Sequence, residues 1–351
     1  MLKKLKLLLT GCLAMILLSC SESPKQDNTY YTLTGKAMGT TYTIKYKGQL
    51  NDAGNKVDSL LVDFNRSLST YDSTSTISRI NQSEKNYCYA LKDDPYFEFS
   101  LTKAIELSKK SGGAFDPTVM PAVNYFDKRK EKKAKPEKVS AATIDSLKAL
   151  IGVDKIQINR NTTGDSVCIV KNNAAVKVDL NASAPGHGVD VIAAFFETNN
   201  IHDYMIEIGG EVRTAGLNAK GEAWTIGISK PVSGAQVNDV VMPIAISNKS
   251  LATSGNYRNF YEKGSIRLAH IIDPRTCSAR PSDILSATII ADQCLDADAM
   301  ATTCMVLGLK EATKFVAADT TLAAFFIYKD AQADTLSFYF SPGFSKHLIS
   351  K

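Results

Sequence analysis

The sequence has few of the features that mark the common metal-thiolate and nucleotide-binding folds. Among 351 residues it has four histidines and seven cysteines, and no two cysteines have the short spacing of a zinc site. It also lacks the strand-GxGxxG-helix pattern of a Rossmann site and the lysine-bearing glycine loop of a P-loop. We find no short internal repeat. These absences argue against zinc modules, Rossmann dinucleotide sites, P-loop enzymes and repeat proteins.

Long hydrophobic runs are also absent, apart from residues 7–18 near the N-terminus. This run follows three lysines and is too short for a confident membrane span, which is typical of a secretory signal. Residues 17–20 (Leu-Leu-Ser-Cys) resemble a bacterial lipobox, in which the cysteine is lipidated. We therefore predict a signal peptide at 1–19, a lipidated tether at 20–30 and a lipid anchor on Cys20. An ordinary signal, or an uncleaved anchor, is the alternative.

These N-terminal features place the protein at the bacterial inner membrane, facing the periplasm, with acyl chains as its only membrane attachment. Removal of residues 1–19 deletes three lysines and no acid, so the formal net charge of +5 falls to +2. A charge this small gives no reason to expect nucleic acid as a partner. An exported protein can form a disulfide, but the remaining cysteines do not indicate which pair.

Hydrophobic periodicity predicts an α+β fold, with mixed sheets flanked by helices. The mature chain is either one large domain, which we take as residues 31–351, or two fused halves. Helical spacing is found at residues 55–68, 97–111, 141–150, 188–198 and 296–308. Strand patterns are found at 30–46 with a break at 38–40, 156–158, 167–171, 175–179, 204–208, 224–228, 242–246, 287–291 and, as a hairpin, 323–340.

The last predicted helix carries the most informative pair of residues. Asp298 and Thr302 are four positions apart, so both side chains point to the same side of a helix. A carboxylate and a hydroxyl are hard oxygen donors that suit magnesium. His270, upstream of this helix, could act as a base beside the metal. Read alone, however, the pair is better explained by a charge near a helix start and a hydroxyl bonded to the backbone.

Six other segments combine small residues with isolated polar ones: 37–42, 67–71, 111–117, 178–186, 208–211 and 252–257. Each by itself is typical of a turn. Taken in order, together with residues 270–276 and 297–302, they resemble the FAD:protein FMN transferases, or ApbE-like flavin transferases. The resemblance extends from about residue 33 to residue 308. It implies a single large α+β domain related to the T-fold.

The resemblance also implies a reaction and a set of site residues. The enzyme would use magnesium to split FAD, transfer FMN to a threonine or serine hydroxyl of another protein, and release AMP. His270 matches the base, and Asp298, Thr302 and the backbone carbonyl of Ala182 match the metal ligands. The positions that match the lining of the FAD site are Met38, Tyr71, Ala114, Phe115, Asp116, Asp179, Pro185 and Ile272. For Tyr71, stacking on the flavin and packing against the preceding helix are equally consistent with the sequence.

Two positions depart from the family pattern. Pro185 stands where the family commonly has lysine, and Cys277 stands where it has glycine. Arg258, Arg275 or His187 could replace the lost positive charge. These departures leave two alternatives to the transferase: an FAD pyrophosphatase that forms FMN and AMP, and a non-catalytic FAD-binding lipoprotein. The chain has no Asp-x-x-Ser/Thr-Gly-Ala-Thr motif of its own, so the predicted acceptor is another polypeptide, such as a membrane redox subunit.

Overall fold

An antiparallel sheet forms the centre of the fold. The structure, a computed structural model, describes residues 28–131, 139–231, 239–255, 260–263, 266–269, 271–279, 282–330 and 335–349. Within these residues the sheet has eight strands in the order β1-β2-β6-β7-β10-β15-β16-β17. They are β1 (Tyr30–Ala37), β2 (Thr40–Lys47), β6 (Tyr204–Ile208), β7 (Glu211–Ala215), β10 (Lys249–Gly255), β15 (Ile284–Ala291), β16 (Ala323–Lys329) and β17 (Leu336–Phe340).

The first hairpin of this sheet follows directly from the sequence. β1 and β2 pair in register from Tyr30 with Lys47 to Ala37 with Thr40. Met38 and Gly39 between them have φ angles of 53° and 77°, and positive φ at both loop residues matches the twist of a tight hairpin. The predicted strand with a break at residues 38–40 is therefore confirmed, and the break is the turn.

Helices cover one face of the sheet. The described helices are α1 (Ala53–Leu68), α2 (Thr76–Gln82), α3 (Phe97–Lys110), α4 (Met120–Glu131), α5 (Ala141–Lys148), α6 (Ala184–Thr198), α7 (Cys294–Leu307) and α8 (Leu309–Ala318). α7 buries nearly its whole circumference. A helix that is apolar all round belongs in the interior, so the predicted metal pair lies on the most buried helix of the fold.

The other face of the sheet is covered by the hairpin β8 (Trp224–Ser229) and β9 (Val240–Ile246). Ile228, Ile244 and Ile246 of this hairpin pack with Phe325 and Phe344 in one buried cluster. Two short hairpins are separate from this sheet. They are β11 (Phe260–Lys263) with β12 (Ile266–Ala269), and β13 (Ile272–Asp273) with β14 (Ser278–Ala279).

A second sheet of three strands lies in the order β3-β5-β4, formed by β3 (Asn86–Ala90), β4 (Ile156–Arg160) and β5 (Ser166–Lys171). Cys88 and Cys168 are directly opposite each other on β3 and β5, and a disulfide joins them. The cysteines Cys277, Cys294 and Cys304 are buried free thiols.

Reduction of this disulfide is expected to destabilise the protein. The bond closes a loop with a sequence separation of 80 residues that contains α3, α4 and α5. Opening a loop of this size restores chain entropy to the unfolded state, so the free energy of unfolding should fall by about 2–4 kcal/mol. Urea unfolding with and without dithiothreitol measures this difference. A Cys88→Ala/Cys168→Ala variant should unfold at the reduced midpoint under both conditions, and an unchanged wild-type midpoint on reduction would contradict the expectation.

The α+β class is confirmed, and most predicted elements are present within a few residues of their predicted bounds. The predicted strand at 175–179 is wrong, because residues 174–183 form turns and irregular backbone that belongs to no strand. α6 begins at Ala184, four residues before its predicted start. Periodicity missed α2, α4, α8, β3, β7, β10 and the short strands β11 to β14. Among the helices that the structure describes, none combines the length and apolar character needed to cross a membrane.

Candidate active site

The candidate site lies where helix α6 begins beside helix α7. The backbone N–H of Gly186, in the first turn of α6, donates to Asp298 Oδ2 at 3.0 Å. A Cβ at position 186 would lie 2.4 Å from the carbonyl oxygen of Cys294 and 2.9 Å from Asp298 Cβ. Only glycine permits so close an approach of the two helices. The glycine therefore sets the position of the Asp298 carboxylate.

The carbonyl of Ala182 lies just before helix α6, whose N-cap is Ser183. A carbonyl before the N-cap accepts no helical hydrogen bond, and the N–H groups of residues 183 and 184 both donate to Leu180. No backbone N–H in the described part of the chain donates to the Ala182 carbonyl. That oxygen can therefore serve as a ligand, as predicted.

Thr302 lies one turn after Asp298 on α7, and its hydroxyl is 3.0 Å from Ser254 Oγ on β10. The back-bonding hydroxyl on this helix is that of Thr303, which donates to Ala299 O at 2.8 Å. Asp298 is the fifth residue of α7, so it is not a charge at the helix start. The alternative reading of Asp298 as a helix-start charge and of Thr302 as a hydroxyl bonded to the backbone is therefore wrong for both residues. Ser254 lies in the segment 252–257 on which the resemblance rests, but the sequence assigns it no role of its own.

The electrostatics at Asp298 suit a cation. The residue is only 6% exposed, and burial, with the nearby Glu211 and Asp190, raises the pKa of its carboxyl well above the usual value. A buried carboxylate among other acids is costly unless a positive charge compensates it. A carboxylate, a hydroxyl and a backbone carbonyl are the donors that magnesium prefers. In the described residues no cluster of three or more His, Cys, Asp or Glu side chains could hold a metal, so these mixed oxygen donors are the candidates.

The predicted flavin segments meet beside this helix pair. Asp179 donates its N–H to the carbonyl of Pro117 at 2.7 Å, which joins residues 113–117 to residues 178–183. Asp116 is buried and accepts bonds from the N–H and hydroxyl of Thr118 at 2.8 and 2.5 Å. Burial raises the pKa of Asp116, although both bonds lower it. Ala114 and Phe115 are buried next to it.

Two further segments contact residues at or beside the start of helix α6. Asn181 donates to the Thr70 hydroxyl at 3.3 Å, which brings residues 67–71 to the site. Tyr71 is 92% exposed, so packing against the preceding helix is excluded and its ring is open to a ligand. Met38 is half-buried, with its sulfur 3.2 Å from where a Cβ of Gly188 would lie.

Ile272 and Cys277 are both buried in one cluster with Leu147 and Ile151. The Ile272 side chain is therefore a core group rather than an exposed site group. Cys277 has a φ angle of 50°, in the region that favours glycine. Its side chain is part of the buried cluster.

Of the residues that could replace the positive charge absent at Pro185, Arg275 and His187 lie among the described residues and Arg258 does not. Pro185 lies in the first turn of α6, where proline is tolerated because that N–H has no helical partner. Arg275 donates to Asp273 through Nε at 2.9 Å and Nη2 at 3.0 Å, so its charge is already paired. Arg258 and the predicted base His270 lie outside the described residues, and so does Cys20.

His187 cannot replace the lysine charge. It is 6% exposed and lies between the rings of Phe64 and Phe99. Its Nδ1 is 2.7 Å from Ser100 Oγ, whose own proton goes to the carbonyl of Tyr96. Burial lowers the pKa of His187 from 6.5 to about 4. The ring is therefore a neutral core group.

This burial predicts a pH-dependent stability. The unfolded chain binds a proton at His187 below about pH 6.5, whereas the folded protein binds it only near pH 4. Neutral His187 therefore contributes about 3 kcal/mol to the free energy of unfolding above pH 6.5. This contribution is lost as the pH falls from 6.5 to 4. Chemical denaturation at pH 7 and pH 4.5 should show a smaller loss for His187→Asn than for wild type. His202→Asn, at an exposed position, should behave as wild type, and equal losses in all three proteins would contradict the assignment.

Comparison with known proteins shows similarity over nearly the whole chain. The model of the ApbE family matches residues 38–326. An FAD:protein FMN transferase of Haemophilus influenzae is 34% identical and covers 93% of this chain and 94% of its own length. The flavin transferase ApbE from Vibrio cholerae has a solved structure with a TM-score of 0.75 and 32% identity, covering 91% of this chain and 99% of its own. The apo flavinyl transferase ApbE of Pseudomonas stutzeri is 27% identical and has a TM-score of 0.76. The match covers 91% of this chain and 97% of that structure's chain.

Proposed function

Because the chain belongs to the ApbE family and is an FAD:protein FMN transferase, we propose that it catalyses magnesium-dependent transfer of FMN to a threonine or serine hydroxyl of another protein. The acceptor hydroxyl oxygen bonds to the phosphorus of the FMN moiety. The bond from that phosphorus to the bridging oxygen breaks, and AMP leaves with the electron pair. FAD is thus a substrate, and the FMN stays on the acceptor.

The observation that carries this proposal is the Gly186–Asp298 contact. It fixes the carboxylate of Asp298 by a backbone N–H at 3.0 Å. The carbonyl of Ala182, just before the same helix, accepts no backbone N–H of the described residues. With Thr302, these groups would hold magnesium. When bound, the metal would neutralise charge that builds on the pyrophosphate oxygens during the transfer.

The chain's other residues would orient the substrates and take up the proton. Tyr71 presents an exposed ring on which the isoalloxazine could stack. We assign acceptance of the hydroxyl proton to His270, because an imidazole titrates near neutral pH and a protein hydroxyl is a poor nucleophile without a base. The Ser254 hydroxyl, at 3.0 Å, would hold Thr302 in its rotamer.

We further propose that the enzyme, as residues 31–351, is tethered to the periplasmic side of the inner membrane by a lipid on Cys20 after removal of residues 1–19. The disulfide between Cys88 and Cys168 supports an oxidising compartment, since structural disulfides are rare in the bacterial cytosol. The acceptor is then an exported or membrane redox protein. An Asp-x-x-Ser/Thr-Gly-Ala-Thr motif in it would carry the target hydroxyl.

The test is incubation with FAD, magnesium and an acceptor domain that carries this motif, followed by mass spectrometry of the acceptor. We expect an FMN adduct, one AMP per adduct, and loss of both when EDTA removes the metal. An active relative serves as the positive control. AMP release without any acceptor would support the FAD pyrophosphatase instead. No adduct with this enzyme, when the relative gives one, would overturn the proposed acceptor chemistry.

A further inference from the structure

Resting on the proposed function, we propose that Asp190 is a positioning residue for the proposed metal ligand Asp298. Its carboxylate, on helix α6, holds the start of helix α7 in a fixed position against α6. Asp190 lies four residues after Gly186, and Asp298 lies four residues after Cys294. Residues with this spacing lie on one face of a helix. The faces that meet at Gly186 and Asp298 therefore also carry Asp190 and Cys294.

Asp190 caps helix α7 from the neighbouring helix. The N-cap residue of α7, Gln293, makes no side-chain capping hydrogen bond. Instead, Asp190 Oδ1 accepts the backbone N–H of Cys294 at 3.0 Å, and Oδ2 accepts that of Leu295 at 2.9 Å. The first N–H groups of a helix have no partner within it, and the helix dipole favours a negative charge there. One side chain of α6 therefore binds two backbone groups of α7.

Arg213 of strand β7 orients this carboxylate in turn. Its Nη1 donates to Asp190 Oδ1 at 2.6 Å, and its Nη2 donates to Glu197 Oε1, also on α6, at 3.3 Å. The side chains of Asp190 and Arg213 are only 12% and 21% exposed, so salt screens this pair little. Hydrogen bonds that involve charged groups are also stronger than neutral ones. The cap therefore joins α6, α7 and the sheet.

Magnesium binding is sensitive to the position of such a ligand, because the ion requires nearly octahedral geometry with oxygens at roughly 2.1 Å. Asp298 lies one turn beyond the capped N–H groups, and its carboxylate accepts the Gly186 N–H at 3.0 Å. Without the cap, the start of α7 would no longer hold Asp298 at a fixed distance from the Ala182 carbonyl, just before α6. Loss of a group that orients a metal ligand lowers metal affinity about 10–100-fold.

Asp190→Asn tests the role of the carboxylate. Asparagine has one side-chain oxygen for the two N–H groups, and its amide offers no charge to Arg213. We expect the Kd for magnesium to rise about tenfold, as measured by calorimetry on the enzyme saturated with FAD and without acceptor. The magnesium concentration that gives half-maximal FMN transfer should rise equally, with kcat at saturating magnesium within about threefold of wild type.

Asp94→Asn is the matched control. Asp94 is buried and caps helix α3, where it accepts the N–H groups of Tyr96 and Phe97 at 3.0 and 3.1 Å. It has the same capping role on a helix that carries no proposed metal ligand. This variant should lose a similar amount of thermal stability and keep the wild-type Kd for magnesium. An equal rise in Kd for both variants would show that lost stability weakens metal binding, and the positioning role would be overturned.

Arg213→Met separates position from charge. Methionine cannot donate to Asp190, so the carboxylate loses the group that orients it, and we expect the Kd for magnesium to rise about threefold. If Asp190 acted only as a negative charge near the metal, removal of the Arg213 cation would lower this Kd. A lowered Kd would therefore overturn the positioning role. The variant also provides a test if Asp190→Asn does not fold.

The outcomes separate this inference from the proposed function. A wild-type Kd for magnesium in folded Asp190→Asn overturns the inference and leaves the transferase chemistry intact. If the variants shift the Kd as expected but wild type forms no FMN adduct on the acceptor, the proposed transfer fails and the positioning role stands. If wild type with FAD binds no magnesium, both fail.

Discussion

Replacement of Asp298 by asparagine is expected to lower FMN transfer about 10³-fold while the protein remains folded. The carboxylate is the one anionic donor among the three proposed metal ligands, and loss of metal-assisted charge stabilisation costs several kcal/mol at the transition state. Asparagine keeps a side-chain oxygen that can accept the Gly186 N–H, which in wild type donates to Asp298 Oδ2 at 3.0 Å. It also removes a buried carboxyl whose pKa burial raises well above the usual value, so stability should stay constant or rise.

The matched control for this change is Asp296→Asn on the same helix. Asp296 is two residues away, so it points to a different side of α7, and its nearest cation is Lys103 at 4.0 Å. We expect this variant to transfer FMN within about twofold of wild type. Adduct formation is measured by mass spectrometry across a magnesium titration, with thermal unfolding alongside. If Asp298→Asn retains more than a tenth of wild-type transfer at saturating magnesium, Asp298 is not the metal ligand.

The second large effect is expected for Gly186→Ala. The new Cβ would lie 2.4 Å from the Cys294 carbonyl oxygen, a backbone atom that cannot rotate away. Helices α6 and α7 would have to separate, and overpacking of this kind costs about 3 kcal/mol of unfolding free energy. Alanine's higher helix propensity offsets at most about 1 kcal/mol of that cost. The same separation moves the Gly186 N–H away from Asp298, so FMN transfer should also fall.

Gly188→Ala gives the comparison within the same helix. Its new Cβ would meet the sulfur of Met38 at 3.2 Å and a ring atom of Phe64 at 3.4 Å, and a methionine side chain adapts readily. We expect a change in unfolding free energy of no more than about 1 kcal/mol, in either direction. Urea denaturation of both variants measures the difference. Equal stabilities would show that the α6–α7 contact tolerates a side chain at position 186.

The elements that periodicity predicted well are those whose burial follows a single regular face. α1 and α3 each bury one apolar stripe, and β5 alternates between buried and partly buried residues. The predicted strand at 175–179 is wrong because its apolar residues Val176 and Val178 are buried in irregular backbone. Periodicity predicts the start of α6 four residues too late, because proline and glycine usually break helices. Here Pro185 and Gly186 occupy the first turn.

In the candidate site too, local patterns predicted some features and tertiary contacts decided others. Order and spacing of small segments were sufficient to indicate a flavin-transferase resemblance, and the comparisons confirm the family. Local patterns do not indicate that Ser254 contacts Thr302, that Gly186 positions Asp298, or that His187 is a neutral core residue. Each of these depends on a contact between distant segments, such as the 112 residues that separate Gly186 from Asp298.

The sequence by itself determined the donor types, their common helical face and the α+β class, because spacing along a helix or strand is a local property of the chain. The tertiary structure alone decided the disulfide pair, the contact between Gly186 and Asp298 and the exposure of Tyr71. These features arise from how α6, α7 and the sheet pack. Such packing depends on shape and burial between residues far apart in the chain, which local patterns do not record.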